Sequence, residues 1–473
     1  RIVLGHAQAL QNSTVVLEID GGLDLNGLAE ATVGNLAGNG ALALGATWLS
    51  IGQGGSSASY GGRITGGSDG RTGALVKVGA GTSTFTGTGS SFNNLRVDDG
   101  TLRLSGGSLQ LNSATRGGDL ALLVHSRLEV LDGAVLSARA AGDSTRVVDG
   151  QAGTQLLVDG TGSRLDTGFQ GLVGLAAQGE LTLRNGGALQ GAFAVVAGTL
   201  DGSRGQLNVE SGGRLSAPLV GLGMLAGAQG SALVSGSGSE LRATAELGIG
   251  GVSGGQNGGT GTLTLRNGGQ AVAPRTVFWT DGSRVRVDGG QLQAGALVGS
   301  AAGSEIELVA DPTQGLALVL DSSTGSHRFD GRISGAGGVL KRGAGTQQLL
   351  GGNSFTGAVR VEGGTLQMAS SRASDYEVRA GAQLQLGERN LGAAVVQALP
   401  GATVVYTGAT LAGGQLLGGG THDVSAVQRI VGTQLGVGST LRPADGATLV
   451  GVANSGHGVN AAGHSLVWTG GGN

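Results

Sequence analysis

A short unit, two apolar strands around a glycine turn, recurs along this chain of 473 residues, and self-similarity of that kind marks a stack of repeats rather than a globule. LTLRNGGALQ occupies 181–190. Its relatives are LRLSGGSLQ at Leu102, LEVLDGAVLSA at Leu128, LLVDGTGSRLDT at Leu156, LNVESGGRLSA at Leu207, ALVSGSGSELRA at Ala232, LTLRNGGQAVA at Leu263 and VRVDGGQLQAG at Val285. The residue before the turn glycine is Ser105, Asp132, Asp159, Asn185, Ser211, Ser235, Asn267 and Asp288. All are Ser, Asp or Asn, whose side chains bond to nearby backbone and stabilise turns. They recur about every 26 residues, with drift that belongs in the connecting loops. Alternation places Leu181, Leu183, Leu207 and Val209 on one face and Thr182 and Asn208 on the other. One unit cannot bury that face alone, but units stacked in parallel place like over like and make a continuous core.

A second repeat flanks this array. GRISGAGGVLKRGAGTQQLLGGNSFTGAVRVEGGTLQM runs from Gly331 to Met368, and a looser copy runs from Gly62 to Leu104. Both keep the order Gly-Arg-Ile, a strand ending in Lys, Gly-Ala-Gly-Thr, Phe-Thr-Gly, and Arg-Val followed by an acidic residue and Gly-Thr-Leu.

Composition excludes the main competitors. Glycine accounts for 100 residues and proline for five, with no three-residue period, which rules out collagen. A net charge of −3 with a steady supply of Leu and Val does not fit disorder. Only 3% of residues are aromatic, so any core is built from small aliphatic side chains. There is no run of like charge to read nucleic acid and no apolar stretch long enough to span a bilayer as a helix. No cysteine is present, which removes disulfides and thiolate metal sites. The two lysines, Lys77 and Lys341, against many arginines read as a compositional bias.

The block GAGTQQLLGGNSFTGAVRVEGGTLQ resembles the autotransporter-associated β-strand repeat of Gram-negative type V secretion. The LTLRNGGALQ units are similar to those of autotransporter adhesin passengers, and together the resemblance covers roughly residues 60–390. SLVWTGGGN at 465–473 looks like the start of a Trp-containing unit that opens a further block. The resemblance implies a right-handed parallel β-helix, displayed outside the cell and exported through a C-terminal outer-membrane barrel. Neither a signal peptide nor the girdled alternating strands of a barrel can be read here, so the expectation is an excised middle piece of a longer passenger.

Sites of chemistry are few. Gly66-Gly67-Ser68-Asp69-Gly70 matches a nucleophile-elbow pattern, but the strand-to-helix turn that the elbow needs is not predicted. His6, His125, His327, His422, His457 and His464 show no zinc spacing. Asp132 and Asp159, with Asn185 and Ser211 after them, are expected to line up as a turn ladder on consecutive turns, not as a catalytic acidic face. Asp98-Asp99 and Glu305/Glu307 read as solvated edges, and Trp48, Trp279 and Tyr60 as cap or loop-packing aromatics that could instead touch glycans.

The expectation is therefore all-β: a single-stranded right-handed parallel β-helix over 1–473, a rod of roughly 90–105 Å at ~4.8 Å per rung. It carries associated repeats at 62–104 and 331–368, the array of about 26-residue units at 102–295, and degenerate rungs at 400–473. The expected function is that of a surface-displayed passenger of a Gram-negative cell, acting as an adhesin or self-associating protein. Its partners would be host surface or matrix glycan or protein, or identical copies on neighbouring cells, with no nucleic acid and no membrane link except through an absent barrel. No catalytic, cofactor-binding or metal residue is assigned, and the chain is not expected to be an enzyme. The alternatives are a stalk for an enzymatic module elsewhere and a β-helical polysaccharide lyase or hydrolase. An extended polar ridge would favour adhesion and an aligned acidic cleft the lyase.

Overall fold

The computed structural model describes residues 1–67, 73–111, 120–122, 125–138, 144–148, 153–254, 258–309, 316–370, 372–387, 390–436, 438–443, 447–450, 453–454 and 466–469. Every regular element among them is a β-strand, and the strands stack in parallel as a β-solenoid. Contacts group the chain into two compact units, Arg1–Leu263 with Gly268–Gln270, and Thr264–Asn267 with Ala271–Asn473.

In the first unit one turn of the solenoid is made by strands Gln178–Arg184, Ala188–Gly191 and Ala194–Ala197. The next turn lies on it in register, Leu181 on Leu207, Leu183 on Val209, Leu189 on Leu215 and Val195 on Val220. Alternation does what the sequence predicts: Leu181, Leu183, Leu207 and Val209 are buried, as are Val130 and Val234 in the same column. Strand Arg214–Leu222 runs through a corner without a break, and Pro218, which has no N–H to give to a ladder, sits at that corner.

The turn ladder differs from expectation by one residue. Asp159 is in register with Leu131 and Arg184, not with Asp132 and Asn185. The reason is the backbone: Asp132, Asn185 and Ser211 themselves occupy the left-handed region, with φ of 56°, 53° and 50°. After Ser105, Asp159 and Ser235 that position is taken by Gly106, Gly160 and Gly236. The offset still leaves neighbours in reach, and Asn185 Nδ2 and Arg184 Nε each donate to the Asp159 carboxylate at 2.8 Å.

The second unit repeats the plan. Strands Ser326–Phe329, Thr346–Leu349, Thr365–Met368, Gln383–Leu386, Thr403–Tyr406, Thr421–Val424 and Thr440–Pro443 form one parallel face. One inward column reads Gln347, Leu366, Leu384, Val404, His422, Leu441, and the outward column beside it is mostly threonine. His422 is fully buried; its Nδ1 faces the Tyr406 hydroxyl at 3.1 Å and its Nε2 the Leu417 carbonyl at 3.2 Å. Burial pulls its pKa down from 6.5 to about 4.

Two outcomes are expected. Leu183→Asp places an unpaired charge in the column and should cost about 3–5 kcal/mol in urea unfolding, while Asn185→Gly should cost less than about 1 kcal/mol, because relief at the positive φ offsets the lost hydrogen bond to Asp159. The unfolded chain protonates histidine near 6.5 while folded His422 resists until about 4. Stability is thus fully present above pH 6.5 and falls as pH drops toward 4. His422→Leu should flatten that fall, read from urea midpoints at pH 7 and 4.5.

Candidate functional site

The outward face of the first unit carries one connected polar column. Arg103 and Arg127 both donate to the carboxylate of Glu129, at 2.7 and 2.6 Å. Arg127 reaches on to Gln155 at 3.1 Å, and Gln155 to Glu180 at 2.9 Å. Asn208 donates to Glu180 at 2.8 Å, and Gln206 to Asn208 at 3.0 Å. Strand register makes this possible: Thr101, Arg127, Gln155, Glu180 and Gln206 lie in one outward line, with Arg103 and Glu129 in the line beside it. The two arginines and two glutamates cancel in charge. Each cross-strand pair contributes roughly 0.2–1 kcal/mol, so the column matters for surface chemistry more than for stability.

At its far end the column opens into a groove of about 480 Å³. One wall holds Gln178, Arg204 and Gln229, in register on successive turns; the other holds Glu180, Gln206 and Ser231. Between them run Gly179, Gly205 and Gly230. A Cβ on Gly205 would fall 2.1 Å from the Val173 carbonyl oxygen and 2.2 Å from Gly198 N, so the strand lies flat on its neighbour and the groove has a backbone floor. Thr260 and Thr262 close the end. The second wall is tied down internally. On the first, the side chains of Gln178, Arg204 and Gln229 are exposed and make no hydrogen bond or ion pair among the described residues.

A different polar feature lies inside. Lys77 and Lys341 are both fully buried. Lys77 Nζ donates to the carbonyls of Val78 (2.8 Å), Gly79 (2.5 Å) and Asp99 (3.1 Å). Lys341 Nζ donates to those of Arg342, Gly343 (2.8 Å) and Gly363 (3.3 Å). Each ammonium therefore grips its own corner and that of the following turn. Gly79 and Gly343 have φ of 71° and 68°, and the next corners, Gly100 and Gly364, have 67° and 61°. A Cβ on Gly100 would sit 2.3 Å from Gly79 O, and one on Gly364 2.4 Å from Gly343 O. Burial lowers both lysine pKa values from 10.5 to about 8, and nearby Asp99 and Asp321 oppose the shift.

These two cages fall in the two copies of the second repeat. Residues 75–111 and 339–368 match the family described as passenger-associated-transport-repeat. Over 173 residues, 34% of its length, the chain is 34% identical to the adhesin BmaC autotransporter of Brucella suis biovar 1 (strain 1330). The chain carries the repeats of an autotransporter passenger. It spans about 5% of that relative's length. No solved structure matches it.

The fold places the sequence-derived candidates apart from one another. Gly66 ends a strand, while Ser68, Asp69 and Gly70 lie outside the described residues, as do His457 and His464. The rings of His6 and His327 bond locally, to Gln8 N and the Thr324 carbonyl, and His125 sits in a turn with φ of 54°. Among the described residues no three His, Asp or Glu side chains converge as a metal site. Asp99 is exposed, as expected of a solvated edge, though its backbone carbonyl caps Lys77, while Asp98 is half-buried and pairs with Arg96 at 2.6 Å. Glu305 and Glu307 likewise pair with Arg284 and Arg286 across the register. Tyr60 is a core residue, not a glycan contact; its hydroxyl donates to Gly40 O at 2.5 Å, and burial raises its pKa to about 12. Trp48 carries the Arg96 guanidinium 5.8 Å from its ring centre. The Phe-Thr-Gly match between the two repeats also shifts: Phe85 occupies the place of Leu349, while Phe92 and Phe355, both fully buried, each precede the Arg-Val strand. The lysine cages and the groove were missed. Lysine at one place in both copies was the available signal.

Replacing Lys341 by Met takes the ammonium donor away from three part-buried carbonyls and should lower the chain's stability by about 1–3 kcal/mol at pH 7. The unfolded chain holds the lysine proton up to about 10.5, the folded one only to about 8, so the parent gains stability as pH rises through that window. The gap between parent and Lys341→Met should thus widen from pH 7.5 to 9.5 in urea unfolding.

Proposed function

We propose that this passenger segment is a non-catalytic adhesin displayed on a Gram-negative surface, making contact through its outward polar columns. The observation that carries the reading is the charge-compensated column from Arg103 to Gln206 and the groove beyond it, with hydrogen-bonding side chains presented turn after turn. A surface of this kind offers many weak contacts, and useful strength comes from repetition across many copies. The relative's name as an adhesin supports the same reading. The lyase alternative needs acidic groups gathered in a cleft, and both carboxylates of this column, Glu129 and Glu180, are occupied by structural hydrogen bonds.

A second reading, self-association, has its own observation. Phe169 and Phe193 stack on successive turns with ring centres 4.6 Å apart and planes 4° apart, and they remain 43% and 40% exposed. An apolar pair facing water is a ready contact for another copy.

Beads coated densely with the chain should attach to host-like matrix or to each other, while the soluble monomer binds poorly and turns over no peptide, ester or polysaccharide. Clumping that disappears in Phe169→Ser with Phe193→Ser, with matrix attachment retained, would assign self-association to the stack. Coated beads that adhere to nothing would reduce the segment to a stalk.

A further inference from the structure

We propose that the groove between the Gln178–Arg204–Gln229 wall and the Glu180–Gln206–Ser231 wall is the binding site for a linear, hydroxyl-rich glycan lying along the stacking direction. The proposal rests on the adhesin reading and names its ligand. The lining contains no apolar side chain beyond glycine and the methyls of threonine, so an apolar peptide anchor finds no pocket. The strands flooring the groove are paired on both sides through Arg204–Glu210, which leaves no free edge for an added strand. One arginine faces one glutamate, a balance far from the basic track that a nucleic acid requires. What the groove does offer is amide and hydroxyl groups in rows, repeated at the ~4.8 Å spacing of strands.

The two walls divide the work. Glu180 accepts from Gln155 and Asn208, Gln206 donates to Asn208 and Ser231 to Gly205 O, so that wall is held in place before any ligand arrives. The side chains of Gln178, Arg204 and Gln229 make no hydrogen bond or ion pair among the described residues and stay available to a ligand. A chain with hydroxyls on every unit can satisfy these three at once. Arg204, whose planar fork suits paired oxygens, would favour a unit that carries a carboxylate over a neutral one.

The test is titration of the 473-residue chain with two linear hexasaccharides, cellohexaose and a hyaluronan hexamer, followed by calorimetry or ligand-observed NMR. Both should bind weakly, the hyaluronan hexamer more tightly. Gln178→Ala and Gln229→Ala should each weaken binding about fivefold, the worth of one hydrogen bond. Arg204→Ala should erase the preference for the acidic hexamer. Thr262→Trp, at an exposed position, should block the groove while the urea midpoint stays unchanged. Absence of binding by either hexamer, or binding that survives Thr262→Trp, overturns the proposal. If neither hexamer binds while coated beads still adhere, the proposal falls and the adhesin reading stands, whereas coated beads that adhere to nothing even without hexamer remove that reading itself.

Discussion

Parallel in-register stacking is the constraint from which the rest of this structure follows. Each side chain sits directly over its counterpart in the next turn, so a position tolerates only residues that can lie on copies of themselves or on a complement. Inside, Leu, Val and Ala satisfy this at once, and each side chain of a column such as Leu104, Val130, Val158, Leu183 and Val209 adds about 1.5–3 kcal/mol of burial. Outside, like charges one strand apart repel, and the chain answers by pairing Arg with Glu or by inserting Gln and Asn, as from Arg103 to Gln206. Burial exceeds each of these surface pairs severalfold. The core sets stability, and the outer columns are left free to set contact chemistry.

The exceptions inside the columns obey a stricter rule. Gln347, His422 and the two lysines are all fully buried, and each bonds to backbone groups around it, with the Tyr406 hydroxyl as a second partner for His422. An unbonded polar group there would cost several kcal/mol. The lysines go furthest, since each ammonium gathers carbonyls from two successive corners. That geometry explains why the cages recur with their glycines: the left-handed corners aim the carbonyls, and no side chain larger than hydrogen fits where one corner rests on the next.

Much of this was legible in the residues. Period-two alternation in LTLRNGGALQ and its relatives fixed which side chains face in, because a slip of one would expose every leucine. What misled was the choice of landmark. Aligning the units on Ser, Asp or Asn before glycine put Asp159 beside Asn185, whereas the backbone aligns the left-handed position, which glycine fills in some turns and Asp, Asn or Ser in others. The same happened with Phe-Thr-Gly, where Phe85 and Phe355 share letters but not places. The groove was not legible at all, since it depends on Gln178, Arg204 and Gln229 falling in register outside the units that the repeats align.

The lysine cages also make the chain a reporter on itself. Cysteine is absent and both side-chain amines are enclosed, so electrophiles that label exposed amines or thiols find no side chain of either kind at the surface of the folded chain. Acylation at Lys77 or Lys341 requires that the corner around it first let go. The extent of labelling at each lysine would then count the opening of its own two turns, separately for the two units, without any engineered tag.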